Sequence, residues 1–182
     1  MTTEKTLVTI KDVEANPPPG RWELLDGEVV PMPPAGGEHN WVMNRFDVRL
    51  TTYVEANDLG VVLPGDTGII LGRRPDRIRA PDLCFFAKGR LPGDRPPSGY
   101  LEIIPDFVVE IVSPGDRAGE IQQKTDEWLN AGVRLVWVAY PESRTVVVSS
   151  GSDTQRIYRV GDALTGDPVL PGFSTPVAAL FA

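Results

Sequence analysis

The sequence predicts an α/β (α+β) fold, a mixed central β-sheet flanked by helices. Three observations carry this. Short runs of β-branched and aromatic residues recur along the chain: "GVVLP" at 60–64, "LCFF" at 83–86, "FVVEIV" at 107–112, "LVWVAY" at 135–140 and "TVVV" at 145–148. Two longer segments instead repeat their apolar residues at helical spacing. Three Pro/Gly clusters, "NPPPG", "PMPPAGG" and "LPGDRPPSG", punctuate the chain as loops, and no internal repeat interrupts it. With 182 residues, one domain with a sizeable core is expected, carrying an N-terminal helix and hairpin as an extension over about 1–35.

Taken in order, "TIKDVEAN" (9–16) predicts a short helix capped by Thr9. "RWELLDGEVVPM" (21–32) predicts a β-hairpin turning on Asp26-Gly27. Residues 38–57 place Val42, Met43, Phe46, Leu50, Tyr53 and Val54 on one helical face. "GVVLP" and "TGIILG" read as short strands, and "RIRAPDLCFFAK" (77–88) and "LEIIPDFVVEIVSP" (101–114) as two further strands. Residues 116–132 read as a helix with Asp116 as N-cap and Gly132 as C-cap. "VRLVWVAYP" and "RTVVVSSG" form a hairpin around "ESR", "QRIYRV" adds an edge strand, and "STPVAALFA" closes with a short helix.

Bulk properties narrow the function. A net charge of −7 and a pI near 4.7 argue against a chain that coats DNA through a broad basic surface. They leave room for a metal that bridges acidic residues to phosphate. Cys84 is the only cysteine, so an internal disulfide and a thiolate zinc site are both excluded. With no apolar leader and no run near the roughly 18 apolar residues of a membrane helix, a cytoplasmic setting is expected, with no membrane partner. No G-x-S-x-G, Walker A or G-x-G-x-x-G motif occurs.

The chemistry-bearing residues stand out against the apolar strands. In "PDFVVEIVSP", Glu110 shares a face with Val108, inside a run that is apolar on both faces. A carboxylate there must be protonated, ion-paired with an arginine, or bound to a cation. Asp82 likewise precedes an apolar run, in the neighbouring strand by sequence. By itself it reads as turn chemistry; paired with Glu110 it suggests oxygen ligands for a hard cation, Mg²⁺ or Mn²⁺. With Ile121 at zero on a helical wheel, Trp128 falls near −20° and Lys124 near −60°, about 100° being added per residue. Lys124 thus borders the apolar stripe, either to snorkel over Trp128 or to meet Glu110. His39, the only histidine, lies beside Glu38 at the start of the long helix and reads as a cap, a surface residue or a site residue.

Together these residues are similar to a known pattern. The segments "RWELLDGEVVPMPPAGGEHNWVMNRF", "RAPDLCFF", "PDFVVEIVSPGDRAGEIQQKTDEWLNAGVRLVWVAYPESRTVVV" and "FSTPVAALF" resemble the Uma-two family, labelled "putative restriction endonuclease", of the PD-(D/E)XK nuclease superfamily. The resemblance implies a restriction-endonuclease-like core and a Mg²⁺- or Mn²⁺-dependent endonuclease acting on DNA. It implies Asp82 and Glu110 as catalytic metal ligands and Lys124 as the catalytic lysine. The superfamily places its lysine two residues after the second acid, where this chain has Val112; Lys124, on the following helix, stands in its stead. His39 fits the family position as a further catalytic residue, Glu38 is an additional metal-ligand candidate, and Glu28 in the hairpin is another. A homodimer is expected because symmetric dimers are the commonest assembly. The alternative is a catalytically inactive nuclease fold that serves as a binding or interaction module.

Overall fold

The computed structural model of the chain describes residues 6–151 and 154–182. Its centre is a six-stranded mixed sheet in the order β10-β9-β8-β7-β6-β3. These strands are β3 (Gly60–Pro64), β6 (Leu83–Ala87), β7 (Phe107–Ile111), β8 (Leu135–Tyr140), β9 (Thr145–Ser150) and β10 (Thr154–Tyr158). Only β7 and β8 run parallel. A parallel pair needs a crossover, and α3 (Ala118–Ala131) supplies it. The other long helix is α2 (Gly37–Ala56).

Strand alternation decides which helix lies on which face. The odd-numbered side chains Phe107, Val109, Leu135 and Trp137 pack with Val42, Phe46, Leu50 and Val54 of α2. The even-numbered Val108, Val136 and Val138 pack with Trp128 of α3 and with Cys84 and Phe86. Every residue of β7 is buried, as a strand covered on both faces requires. Full burial of an aliphatic or aromatic side chain is worth about 1.5–3 kcal/mol, so these two layers hold the sheet in place.

A second, four-stranded sheet has the order β2-β1-β5-β4, from β1 (Arg21–Leu25), β2 (Glu28–Met32), β4 (Ile69–Gly72) and β5 (Arg77–Arg79). The β1–β2 turn is the expected one: Asp26 and Gly27 both take positive φ, at 52° and 77°, which a two-residue type I′ turn demands. Helix α1 (Ile10–Ala15) has Thr9 as N-cap in a capping box with Asp12, and buries Ile10 and Val13 against Leu24, Ile70 and Ile78. A short β11–β12 hairpin (Ala163–Thr165, Ser174–Pro176) completes the strands.

Three sequence expectations are corrected. Residues 77–88 do not form one strand. They form β5 in one sheet and β6 in the other, separated by Ala80-Pro81-Asp82. Pro81 has no N–H to give a ladder, so the chain breaks there and changes sheets. Residues 101–114 are likewise shorter as a strand. Only Phe107–Ile111 pairs, while Leu101 makes an isolated bridge to Ile69 on the far side of Pro105. Asp116 does not cap α3; it folds back to accept the Ser113 N–H at 2.8 Å, and Arg117 takes the N-cap position without a side-chain bond. Gly132 does close the helix in the left-handed conformation, with φ 107°. The tail yields a 3₁₀ turn at Val177–Leu180, after β12.

Candidate active site

The sheet change at Pro81 places Asp82 at the head of β6, beside the C-terminal end of β7. Leu83, the first residue of β6, pairs with Val109, and Asp82 just before it accepts the Ile111 N–H of β7. Asp82 is thereby close enough for its charge to raise the Glu110 pKa, and like charges near each other are destabilising. Two carboxylates in this position are therefore an electrostatic cost that the surroundings must offset.

They do so differently for each acid. Asp82 Oδ2 accepts the Ile111 N–H at 2.7 Å and lies 3.2 Å from His39 Nε2. Burial pushes its pKa up, but the hydrogen bond and charge of His39, the Ile111 amide and Lys124 prevail and hold it below the ordinary value. His39 shifts upward in turn, chiefly through its bond to Asp82. Glu110 is 9% exposed. Its Oε1 accepts the Trp128 indole N–H at 2.8 Å and its Oε2 the Lys124 ammonium at 2.9 Å. Burial dominates here: it outweighs Lys124 and, aided by the nearby charges of Asp82 and Glu23, raises Glu110 to about 7. Lys124 is held in its charged form, its pKa raised because Glu110 and Glu23 outweigh the penalty of burial.

Each element has a reason to deliver its residue. His39 sits in the first turn of α2 on the same inward side as Val42 and Phe46. Lys124 and Trp128 are spaced i, i+4 on α3, so both reach β7 from one helical face. Glu38 is exposed beside the inward-turned His39, and Glu28 is exposed on β2.

One member of the cluster is absent from the sequence-based candidates. Glu23 on β1 is 2% exposed, and its Oε1 lies 3.5 Å from Lys124 Nζ. Its Oε2 accepts Arg79 Nη1 at 2.6 Å, and Oε1 accepts the Ala80 N–H at 3.0 Å. Burial opposes its ionisation, but Lys124, Arg79 and the Ala80 amide keep its pKa below the ordinary value. The signal was present in "RWELL": a carboxylate among apolar residues of a strand, the pattern that singled out Glu110.

Among the described residues, no three His, Cys, Asp or Glu side chains converge as a ready-made metal cage. The donor set nevertheless suits a hard cation. Mg²⁺ is commonly held by one or two carboxylates while it keeps several waters, and Asp82 and Glu110 form such a pair. No helix among the described residues is long and apolar enough to cross a membrane.

Comparison with known proteins gives a consistent picture. Over residues 9–178 the chain matches the family model Uma2, described as "Putative restriction endonuclease". No curated protein matches it. Among solved structures, one described as "a putative nuclease belonging to DUF820" from Anabaena variabilis is similar, with a TM-score of 0.81 at 18% identity. The match covers 96% of this chain and 97% of that one, a likeness of fold.

Proposed function

The chain belongs to the Uma2 family, and from that premise we propose that it is a Mg²⁺- or Mn²⁺-dependent endonuclease that hydrolyses phosphodiester bonds of DNA. The observation that carries this reading is the gathering of two carboxylates, Asp82 at the head of β6 bonded to the Ile111 N–H and Glu110 on β7 bonded to the Lys124 ammonium. Asp82 and Glu110 would hold the ion. Once bound, a divalent cation supplies Lewis-acid polarisation of a phosphoryl oxygen and acidifies water.

The protein's own groups do the rest. His39 and the Ile111 amide keep Asp82 ionised and oriented. The Trp128 indole fixes the Glu110 carboxylate against rotation. The charge of Lys124, favoured by Glu110 and Glu23, suits it to stabilise negative charge developing on the phosphate. Cutting both strands of a duplex calls for two copies of a single such site, so a homodimer on DNA is expected; sedimentation velocity with and without duplex measures it.

A second reading, a nuclease fold that binds without cutting, draws on the net charge of −7 and on the absence of a preassembled three-ligand cluster among the described residues. Calorimetric titration with Mn²⁺ and nicking of supercoiled plasmid separate the two. The endonuclease reading expects Mn²⁺ binding that Glu110→Ala abolishes, together with metal-dependent nicking. Wild-type protein that binds no divalent ion, with or without DNA, refutes it.

A further inference from the structure

The ammonium of Lys124 has two carboxylates within reach. Glu110 Oε2 is at 2.9 Å and Glu23 Oε1 at 3.5 Å. They come from different sheets, Glu110 from β7 and Glu23 from β1. Glu23 is held from behind, by Arg79 Nη1 at 2.6 Å and by the Ala80 N–H at 3.0 Å. Arg79 is held in turn by Glu127, with Nη2 to Oε2 at 2.7 Å and Nε to Oε2 at 2.8 Å. Glu127 stands one helical turn from Lys124 on α3. The contacts Lys124–Glu23–Arg79–Glu127 therefore close into a ring through α3; of the ring's charged groups Glu110 meets Lys124, while its other oxygen accepts the Trp128 indole N–H.

This arrangement solves a charge problem raised by the proposed function. A cation at Glu110 competes with Lys124 for the same carboxylate. With Glu110 as its only partner, the ammonium would be left buried and unpaired, an expensive state. Glu23 is a second acceptor, already ionised and immobilised, a short side-chain movement away.

We propose that Glu23 is a positioning residue for Lys124: it is the station on which the ammonium rests when Glu110 engages a divalent cation. The inference rests on the endonuclease reading and adds a role for a residue outside the Asp82–Glu110 pair. It makes Lys124 a two-position group whose head moves from the β7 carboxylate toward the β1 carboxylate without leaving the buried cluster.

Two experiments test it. The first needs no variant: a crystal of wild-type protein soaked with Mn²⁺. Lys124 Nζ is expected closer to Glu23 than 3.5 Å and farther from Glu110 than 2.9 Å. An ion bound at Glu110 with Lys124 still on that carboxylate overturns the inference and leaves the endonuclease reading intact. Wild-type protein that binds no Mn²⁺ overturns both. The second is a double-mutant cycle on Mn²⁺ affinity, read by calorimetry, with Glu23→Gln, Lys124→Met and the double variant. Glu23→Gln is expected to weaken Mn²⁺ by about tenfold, and Lys124→Met in that background to restore most of the loss, a coupling typical of groups in contact. A loss that persists unchanged in the double variant marks Glu23 as a structural support only and overturns the inference.

Discussion

Replacing Glu110 with Gln is expected to stabilise the protein while removing its metal affinity. The amide keeps the carboxylate's shape and an acceptor for the Trp128 indole, and Lys124 retains Glu23. What disappears is a buried negative charge whose pKa burial has lifted from 4.5 to about 7. At about 1.4 kcal/mol per unit, that displacement corresponds to about 3 kcal/mol, with the attraction of Lys124 already included. The sign follows from linkage. Below 4.5 the carboxyl is protonated folded and unfolded alike, and its charge costs nothing. Between 4.5 and 7 the unfolded chain loses its proton while the folded chain keeps it, so wild-type stability falls; above 7 the full cost is present. Gln imitates the protonated form throughout. Urea denaturation of both proteins in EDTA therefore shows a small difference at pH 5 and an advantage for Gln that grows by about 2 kcal/mol by pH 8.5. A Gln variant that is less stable than wild type at pH 8.5, or a gap independent of pH, refutes the assignment of Glu110 as a carboxylate held at a cost to stability.

Three further outcomes are expected. Lys124→Met leaves Glu110 and Glu23 facing each other without their shared cation, so it should lower stability by about 3–5 kcal/mol and plasmid nicking by at least about a hundredfold; urea melts and a gel assay measure the two. Because His39 is the only histidine, a proton NMR titration reports it without overlap. Its pKa should lie above 6.5 in wild type and fall in Asp82→Asn, so the stability it lends through Asp82 is full below 6.5 and is lost as pH rises through the elevated value. Trp128→Phe removes the donor to Glu110 Oε1 and should cost about 1–3 kcal/mol in a denaturant melt.

The hydrophobic patterns carried most of the element assignments because alternation and helical spacing are local properties. Val42, Phe46, Leu50 and Val54 face the sheet as their spacing requires, and Phe107–Ile111 is buried on both faces as its composition requires. Partnership between strands is not local. Nothing in "RIRAPDLCFFAK" says that its two halves join different sheets, although Pro81 marks the break. The same limit explains Glu23. A buried carboxylate is visible in "RWELL" as it is in "FVVEI", but the cations that justify it, Lys124 and Arg79, lie 101 and 56 residues away. Asp82 and Glu110 drew notice because each stood beside an apolar run, and their nearness emerges only from the pairing of β6 with β7 and the Asp82–Ile111 bond.

The bend at Ala80-Pro81-Asp82 has a practical consequence for anyone trimming or grafting this protein. A shortened version beginning after residue 35 would look harmless, since Asp82, Glu110, Lys124 and His39 would all survive. It would nevertheless discard β1, and with it the carboxylate that Arg79, Ala80 and Lys124 share. Arg79, left with Glu127 as its acidic partner, sits three residues before Asp82, so the loss of its Glu23 contact falls close to the head of β6. The minimal working unit is therefore set by counter-charges across the two sheets, and it is larger than the set of residues expected to touch the substrate.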